Sequence, residues 1–371
     1  MCPVASMMAS VAARSRYPWL TSASMACWTD VLRKVFSGQP GSHISLDGNN
    51  RGQGNGYSDR GRYVVPQRGS LKPWVLLGVA LSLILASDIA LAAPKFSEWS
   101  TPINLGPAVN SAFADQSPAI SKDGLSLYFG STRSGGSGAF DIWVSQRETV
   151  DGAFGLPMNV APVNTAFIEN VPALSSDGHW LFFNSNRPGG FGGVDLLVSY
   201  RNHVHDDLDW QTPVNLGAGV NSASLDIGAS YFANDDFGVP LLFFGSDRPG
   251  GPGGTDIYVS AQQPDGSFGA AELVNELSSP FSDNRPVVRF DGLELFLFSD
   301  RPDGSNVDMW VSTRNSVFDP WSTPVNLGPT VNSPQDDRQA YITSDRRTLF
   351  FASDRPGGVG GFDLYMTTRS K

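Results

Sequence analysis

Short apolar runs alternate with polar turns rich in glycine and proline along most of the chain. Runs such as Leu181–Phe183 and Leu349–Phe351 each lead into a polar loop. Strand-like runs such as Asp141–Ser145 and Asp256–Ser260, each with three apolar residues between polar ends, follow those loops. No long segment has the 3.6-residue apolar periodicity of a helix. The pattern therefore predicts an all-β protein built from many short strands and tight turns.

One polar loop motif recurs five times along the chain. Three copies, Ser185–Asp195, Ser246–Asp256 and Ser353–Asp363, contain Arg-Pro followed by two pairs of glycines. Ser131–Asp141 and Ser299–Asp308 are weaker copies. The loop arginines are 54, 61, 53 and 54 residues apart, at Arg133, Arg187, Arg248, Arg301 and Arg355. A period of this size, made of short strands and Gly/Pro turns, is typical of a β-propeller.

Each repeat supplies four strands, and their order predicts how the ring closes. An outer strand comes first, followed by an inner strand and two more, so five repeats predict a five-bladed β-propeller with four antiparallel strands per blade. The first strand of the chain, within Trp99–Gly106, is an outer strand, whereas the last, Asp363–Thr368, is a third strand. We therefore expect the N-terminal strand to close the last blade, which removes open sheet edges.

The segment before the repeats has a different composition. Residues 1–70 show no repeat, and we interpret them as an unstructured leader or as an incorrectly assigned start. Residues 71–92 combine Lys72, the apolar run Trp74–Ala86 and a small-residue cleavage pattern at Ala90–Ala93, as in a secretory signal peptide. The apolar run is short for a membrane anchor. We predict a secreted or periplasmic protein whose mature part, residues 93–371, is the propeller without a membrane anchor.

Charge and cysteine content narrow the possible partners. The 371-residue chain has a formal net charge of −10, and residues 1–92 contain 9 of its 26 Lys and Arg but 4 of its 36 Asp and Glu. Residues 93–371 therefore contain 17 Lys and Arg and 32 Asp and Glu, a net charge of −15. This disfavours nucleic acid and favours cations or neutral ligands. Both cysteines, Cys2 and Cys27, precede the predicted cleavage site, so we expect no disulfide in the mature protein. Separately, we expect the protein to be a monomer.

An acidic residue begins the inner strand of every repeat, where the Gly-rich loops also project. The five ring carboxylates are Asp115, Glu169, Asp226, Asp283 and Asp337. Unpaired, they would repel one another strongly. Two interpretations stay open: each pairs with the recurrent arginine of its repeat, or together they hold Ca²⁺ with neutral oxygens from Gln116, Asn170 and Asn284.

Other polar residues favour structural roles. A second recurrent acid closes each Gly-rich loop and is expected to accept backbone N–H bonds, at Asp141, Asp195, Asp256, Asp308 and Asp363. The acidic segment His203–Asp209 is interpreted as a solvated loop on the opposite face, with a surface cation as the alternative. The recurrent tryptophans Trp99, Trp210 and Trp321 are expected to pack between blades.

The repeat motif resembles the WD-like propeller repeats of the TolB-type periplasmic family. The similarity lies in Ser-x-Asp-Gly at the end of the inner strand, then Phe-x-Ser-x-Arg, then Asp-Ile-Trp/Tyr-Val, and it extends from Trp99 to Ser370. It implies the propeller fold and says little about function.

Two functions from different classes follow from the acidic ring. Propeller enzymes that open lactones resemble this arrangement, which implies a calcium-dependent hydrolase of lactones or similar small esters. Any of the ring carboxylates is then a candidate catalytic residue, and Ca²⁺ would polarise a carbonyl and orient water. The alternative is a non-catalytic periplasmic or extracellular module that binds a protein or a glycan. For either function we expect the partner, a small-molecule ligand or a protein, to contact the Gly-rich face.

Overall fold

The computed structural model describes residues 96–371 except 236, 303 and 305. The predictions for residues 1–70 and 71–92 lie outside these residues. Within the described part the only regular secondary structure is twenty β-strands, and no helix there is long and apolar enough to cross a membrane.

The strands group into five antiparallel four-stranded sheets, which are the five blades. In chain order they are β1 (Ile103–Asn104), β2 (Asp115–Ile120), β3 (Ser126–Ser131), β4 (Asp141–Gln146), β5 (Met158–Asn159), β6 (Glu169–Leu174), β7 (Trp180–Ser185), β8 (Asp195–Tyr200), β9 (Val214–Asn215), β10 (Asp226–Phe232), β11 (Leu241–Ser246), β12 (Asp256–Ala261), β13 (Glu272–Leu273), β14 (Asp283–Val288), β15 (Glu294–Ser299), β16 (Asp308–Thr313), β17 (Val325–Asn326), β18 (Asp337–Ile342), β19 (Thr348–Ser353) and β20 (Asp363–Thr368). Blades one to four are β2–β5, β6–β9, β10–β13 and β14–β17. The prediction of a five-bladed propeller is confirmed.

The first strand of the chain completes the fifth blade, as predicted. Its order is β1-β20-β19-β18, with Ile103 opposite Met366 and Asn104 opposite Tyr365. The Asn104 side chain also donates to Asp363 at 3.0 Å. Trp99 packs edge-on against Phe296 of the fourth blade, with ring centroids 6.4 Å apart. The N-terminal segment therefore joins the last blade and also contacts its neighbour.

Aromatic side chains and arginines fill the spaces between the outer strands and their neighbours. Trp210 and Trp321 are buried, and the guanidinium groups of Arg201 and Arg314 lie 4.5 and 4.1 Å from their rings. Arg369 lies 4.4 Å from the ring of Trp99 in the same way. Trp210 and Trp321 thus serve packing, since a buried ring surface is closed to ligands, and the partly buried Trp99 also packs against the core, as predicted.

Every inner strand contains a β-bulge at its third residue. The register shifts there in all five blades, and the backbone enters the left-handed region. These five residues form the channel belt, with φ values of 61°, 55°, 70°, 44° and 63° at Ser117, Val171, Gly228, Arg285 and Gln339. Only one is glycine, so four of the five positions carry backbone strain. A strained feature repeated in every blade indicates a role in shaping the central channel.

Candidate functional site at the channel mouth

The ring carboxylates begin the inner strands and have no solvent-exposed surface. Each forms an ion pair with the arginine of its own Gly-rich loop. The N–O distances are 2.5 Å for Asp115–Arg133, 3.0 Å for Glu169–Arg187, 2.5 Å for Asp226–Arg248, 2.7 Å for Asp283–Arg301 and 2.5 Å for Asp337–Arg355. These distances favour the first interpretation of the ring, in which each carboxylate pairs with the arginine of its own repeat.

Further hydrogen bonds occupy these carboxylates. In the first blade, Asp115 accepts bonds from the Ser111 backbone N–H at 2.5 Å and from the Ser131 hydroxyl at 2.5 Å. Arg133 also donates to the Val109 carbonyl oxygen at 2.6 Å, which ties the inner strand to the preceding segment. A buried ion pair is stable when such hydrogen bonds satisfy its remaining donors and acceptors.

The buried environment of Asp283, in the fourth blade, shifts the pKa of its carboxyl group. Burial raises the pKa of its carboxyl group above the usual value, while bonds from Ser279 and the charge of Arg301 act in the opposite direction. The shift shows that desolvation is the largest influence on this carboxylate.

The neutral side chains expected to complete a calcium site make other bonds. Asn170 accepts the N–H of Val171 at 2.7 Å, and Asn284 accepts the N–H of Arg285 at 2.7 Å. Both thus satisfy the strained backbone of the channel belt. Among residues 96–371, as described, no three His, Cys, Asp or Glu side chains are grouped as metal ligands. Calcium binding by the ring stays a prediction, and the arginine pairs weigh against it.

The Gly-rich loops make close contacts both within their own blade and with the next blade. A side chain at Gly190 would collide with the Asp195 carboxylate, which accepts bonds from Phe191 and Gly192 N–H at 2.7 and 3.1 Å. A side chain at Gly192 would lie 2.2 Å from the Ser224 carbonyl oxygen of the next blade. The acids that close these loops are therefore braces, as predicted. The glycine pairs allow the close approach of neighbouring backbones.

Exposed phenylalanines occur on the same face as the ring. We call this the ring face; it consists of the Gly-rich loops and the segments that precede the inner strands. Phe113, Phe167 and Phe281 each lie two residues before a ring carboxylate, and their exposed fractions are 47%, 41% and 38%. Phe191, in a Gly-rich loop, is 49% exposed. Sequence analysis missed this set, although the spacing of the first three was a readable signal.

The acidic segment His203–Asp209, on the face opposite the ring face, is not wholly solvated as predicted. Asp207 is buried and accepts bonds from Arg201 at 2.7 Å and from the Tyr128 hydroxyl of the first blade at 2.6 Å. Burial alone would raise the pKa of Asp207, but hydrogen bonds from Ser126, Tyr128, Arg201 and Gln146 outweigh it and lower the pKa. The interpretation as a wholly solvated loop is therefore wrong. Asp207 joins the first two blades.

Comparison with known proteins identifies the fold. No protein-family model and no curated protein matches this chain. The α-L-arabinofuranosidase of Lactobacillus brevis has a TM-score of 0.50 at 16% identity, covering 71% of this chain and 92% of that one. The endo-arabinanase of Bacillus licheniformis has a TM-score of 0.50 at 13% identity, covering 70% and 94%. At these identities the likeness establishes the propeller architecture and no more.

Two expectations need correction. TolB from Acinetobacter baumannii has a TM-score of only 0.42 at 16% identity, covering 70% of this chain and 55% of that one, so membership of the TolB-type family is not confirmed. The assignment as a calcium-dependent lactonase is wrong. The similar solved propellers are arabinofuranosidases and arabinanases, and every carboxylate assigned to that chemistry is bound to an arginine.

Proposed function

We propose that this chain is an exported, non-catalytic β-propeller that binds a glycan on its ring face. The observation that carries the proposal is the combination of a neutralised acidic ring with exposed phenylalanine side chains around it. Export follows from the signal pattern at residues 71–92.

The arginine pairs favour binding over hydrolysis. A glycosidase needs two carboxyl groups on either side of the scissile bond, one of which donates a proton and the other acts as base or nucleophile. Each ring carboxylate has no exposed surface and is held by an arginine and by serine or backbone donors. A carboxylate held in this way is not available to approach a sugar ring.

The phenylalanines supply the kind of surface that a sugar ring can cover. Phe113 and Phe167 occupy the same position of adjacent blades, and Phe281 occupies it in the fourth. Aromatic rings provide apolar area at a low cost in side-chain entropy, and binding sites combine such area with a few polar groups. The similar solved propellers act on arabinose-containing glycans according to their names. Arabinan and its oligosaccharides are therefore the first ligands to test.

The test is calorimetric titration of the propeller with arabinan, xylan and their oligosaccharides. We expect binding, and we expect the double variant Phe113→Ala/Phe167→Ala to weaken it about tenfold, because each aromatic contact contributes about 0.5–1.5 kcal/mol. The matched control is Phe318→Ala, which removes a phenylalanine of 50% exposure from the opposite face and should leave binding unchanged.

Two outcomes would overturn the proposal. The first is the absence of binding to every glycan. The second is release of reducing sugar at a rate that falls in a ring-carboxylate variant that still folds, which would make the protein a hydrolase.

A further inference from the structure

The channel belt breaks the five-fold repeat at one residue. Its five positions carry Ser117, Val171, Gly228, Arg285 and Gln339, so the fourth blade alone places a charge there. The bulge itself is present in every blade and is explained by blade geometry. The arginine is present once, and blade geometry does not explain it.

Arg285 crosses the channel axis. Its Nη2 donates to the Pro118 carbonyl oxygen at 2.9 Å, and Pro118 belongs to the first blade, which does not adjoin the fourth. Gly228 of the third blade allows this position, because a side chain there would lie 2.8 Å from the Arg285 Cα. Asn284 holds the strained backbone by accepting the Arg285 N–H at 2.7 Å. Pro118, Gly228 and Asn284 thus position one guanidinium group at the centre of the ring.

The guanidinium is buried and forms no ion pair with a described carboxylate. Arg285 is 3% exposed, and its Nη1 has no hydrogen-bond partner in the described part of the chain. Burial lowers the pKa of Arg285 to about 9, so its charge persists at neutral pH. Tyr341 acts on this pKa in the opposite direction, but burial raises the pKa of Tyr341 itself to about 12, so its hydroxyl is neutral at that pH and supplies no counter-charge. Every ring arginine, by contrast, has a carboxylate.

A second buried donor belongs to the residue next to the one that Arg285 contacts. The Ser117 hydroxyl has no partner within the described residues, and Ser117 is fully buried and directly precedes Pro118, which Arg285 contacts. Buried donors are normally satisfied, and a positive charge in a site closed to water requires a counter-charge. A compact anion would satisfy both donors.

A recess approaches this place from the face opposite the ring face. It has a volume of about 20 Å³, the space of roughly one water molecule, and Val287, two residues after Arg285, lines it together with Tyr341 and Leu174. The Tyr341 hydroxyl donates to the Leu174 carbonyl oxygen at 3.4 Å, across the channel axis. Its lining combines apolar side chains with the hydroxyl groups of Ser176 and Ser230, and its small volume admits a compact ion but not a large polyanion.

We propose that Arg285 and Ser117 bind a compact monovalent anion, of the size of chloride, inside the central channel. The anion satisfies the Nη1 and hydroxyl donors and neutralises the buried cation. This site is independent of glycan binding on the ring face, and each proposal can fail without the other.

The test compares thermal unfolding in sodium chloride with unfolding in sodium gluconate of equal ionic strength, since gluconate is too large for the site. We expect a higher midpoint in chloride, rising by roughly 3 °C for each tenfold increase in chloride above its dissociation constant. Arg285→Gly, which suits the positive φ, should abolish this difference. The matched control Arg314→Gln removes a partly buried arginine whose Nη2 is also buried without a partner in the described part of the chain, and it should keep the difference between the two salts.

A direct measurement covers the case in which Arg285→Gly does not fold. Crystals grown with sodium bromide should show anomalous density within hydrogen-bond distance of Arg285 Nη1. A formate arm in the melting experiment shows whether a small carboxylate substitutes for the halide. Identical midpoints in chloride and gluconate, or bromide found only on the protein surface, would overturn the proposal.

Discussion

Asp283 and Arg301 form an ion pair of 2.7 Å in which the Asp283 side chain has no exposed surface and the Arg301 side chain is 11% exposed. Residues 18 positions apart are brought together because β14 and β15 form a hairpin, with Asp283 opposite Ser299. The same pair recurs in each of the other four blades. The acidic ring is thus a set of five local braces.

The first prediction concerns this pair. Asp283→Ala leaves a largely buried guanidinium without its counter-charge, and we expect a loss of about 3–5 kcal/mol in the free energy of unfolding. Urea denaturation measures it. The double variant Asp283→Leu/Arg301→Met should recover much of the loss, since a pair replaced by apolar groups leaves no charge stranded. Asp300→Ala, an exposed neighbour that accepts only the Ser282 N–H among the bonds observed, is the control. A loss no larger than that of the control would show that the pair does not stabilise the blade.

The second prediction concerns calcium. Because an arginine neutralises each ring carboxylate, we expect melting curves in calcium and in chelator to coincide. An ion bound only to the folded state would instead add about 2.7 kcal/mol at a hundredfold excess over its dissociation constant. Curves that separate in the wild type and coincide in a ring-carboxylate variant would restore the calcium site.

The third prediction concerns closure of the ring. Removing residues 96–109 deletes β1 and Trp99, exposes the edge of β20 and empties the space beside Phe296. We expect a loss of at least about 3 kcal/mol, the usual cost of deleting a packed tryptophan. Thermal unfolding of a chain that begins at Asn110 measures it, with removal of Lys371 alone as the control. An unchanged midpoint would contradict closure by the N-terminal strand.

The fourth prediction concerns pH. The pKa of Asp207 is lower in the folded protein than in the unfolded chain, because four side chains donate to its carboxylate. Its stabilising contribution is therefore complete above the unfolded pKa of about 4 and disappears as pH falls through the lower folded value. Asp207→Asn should reduce the loss of stability on acidification, measured as unfolding midpoints from pH 6 to pH 2. Asp206→Asn, an exposed neighbour in the same loop, should behave as the wild type. Equal acid sensitivity of wild type and Asp207→Asn would contradict the role of this carboxylate.

Sequence by itself determined the blades. The turn pairs, the apolar runs and the Gly-rich loops are local signals, and the loop arginines recur every 53 to 61 residues. The contacts that they encode are also local, since the hairpin that joins Asp115 to Arg133 is contained in one repeat. Even ring closure could be predicted, because the chain begins with an outer strand and ends with a third strand, and edge pairing leaves only one arrangement.

Tertiary structure alone decided what lies at the centre and between the blades. Arg285 contacts Pro118, 167 positions away, and Asp207 contacts Tyr128, 79 positions away. No periodic pattern marks either contact, because each occurs once and depends on how different blades face one another. The ring carboxylates show the same limit, since their types and spacing suit a cation or an arginine equally. Only the position of the guanidinium groups in the closed propeller decides which of the two neutralises them, because Coulombic attraction depends on distance and burial and not on order along the chain.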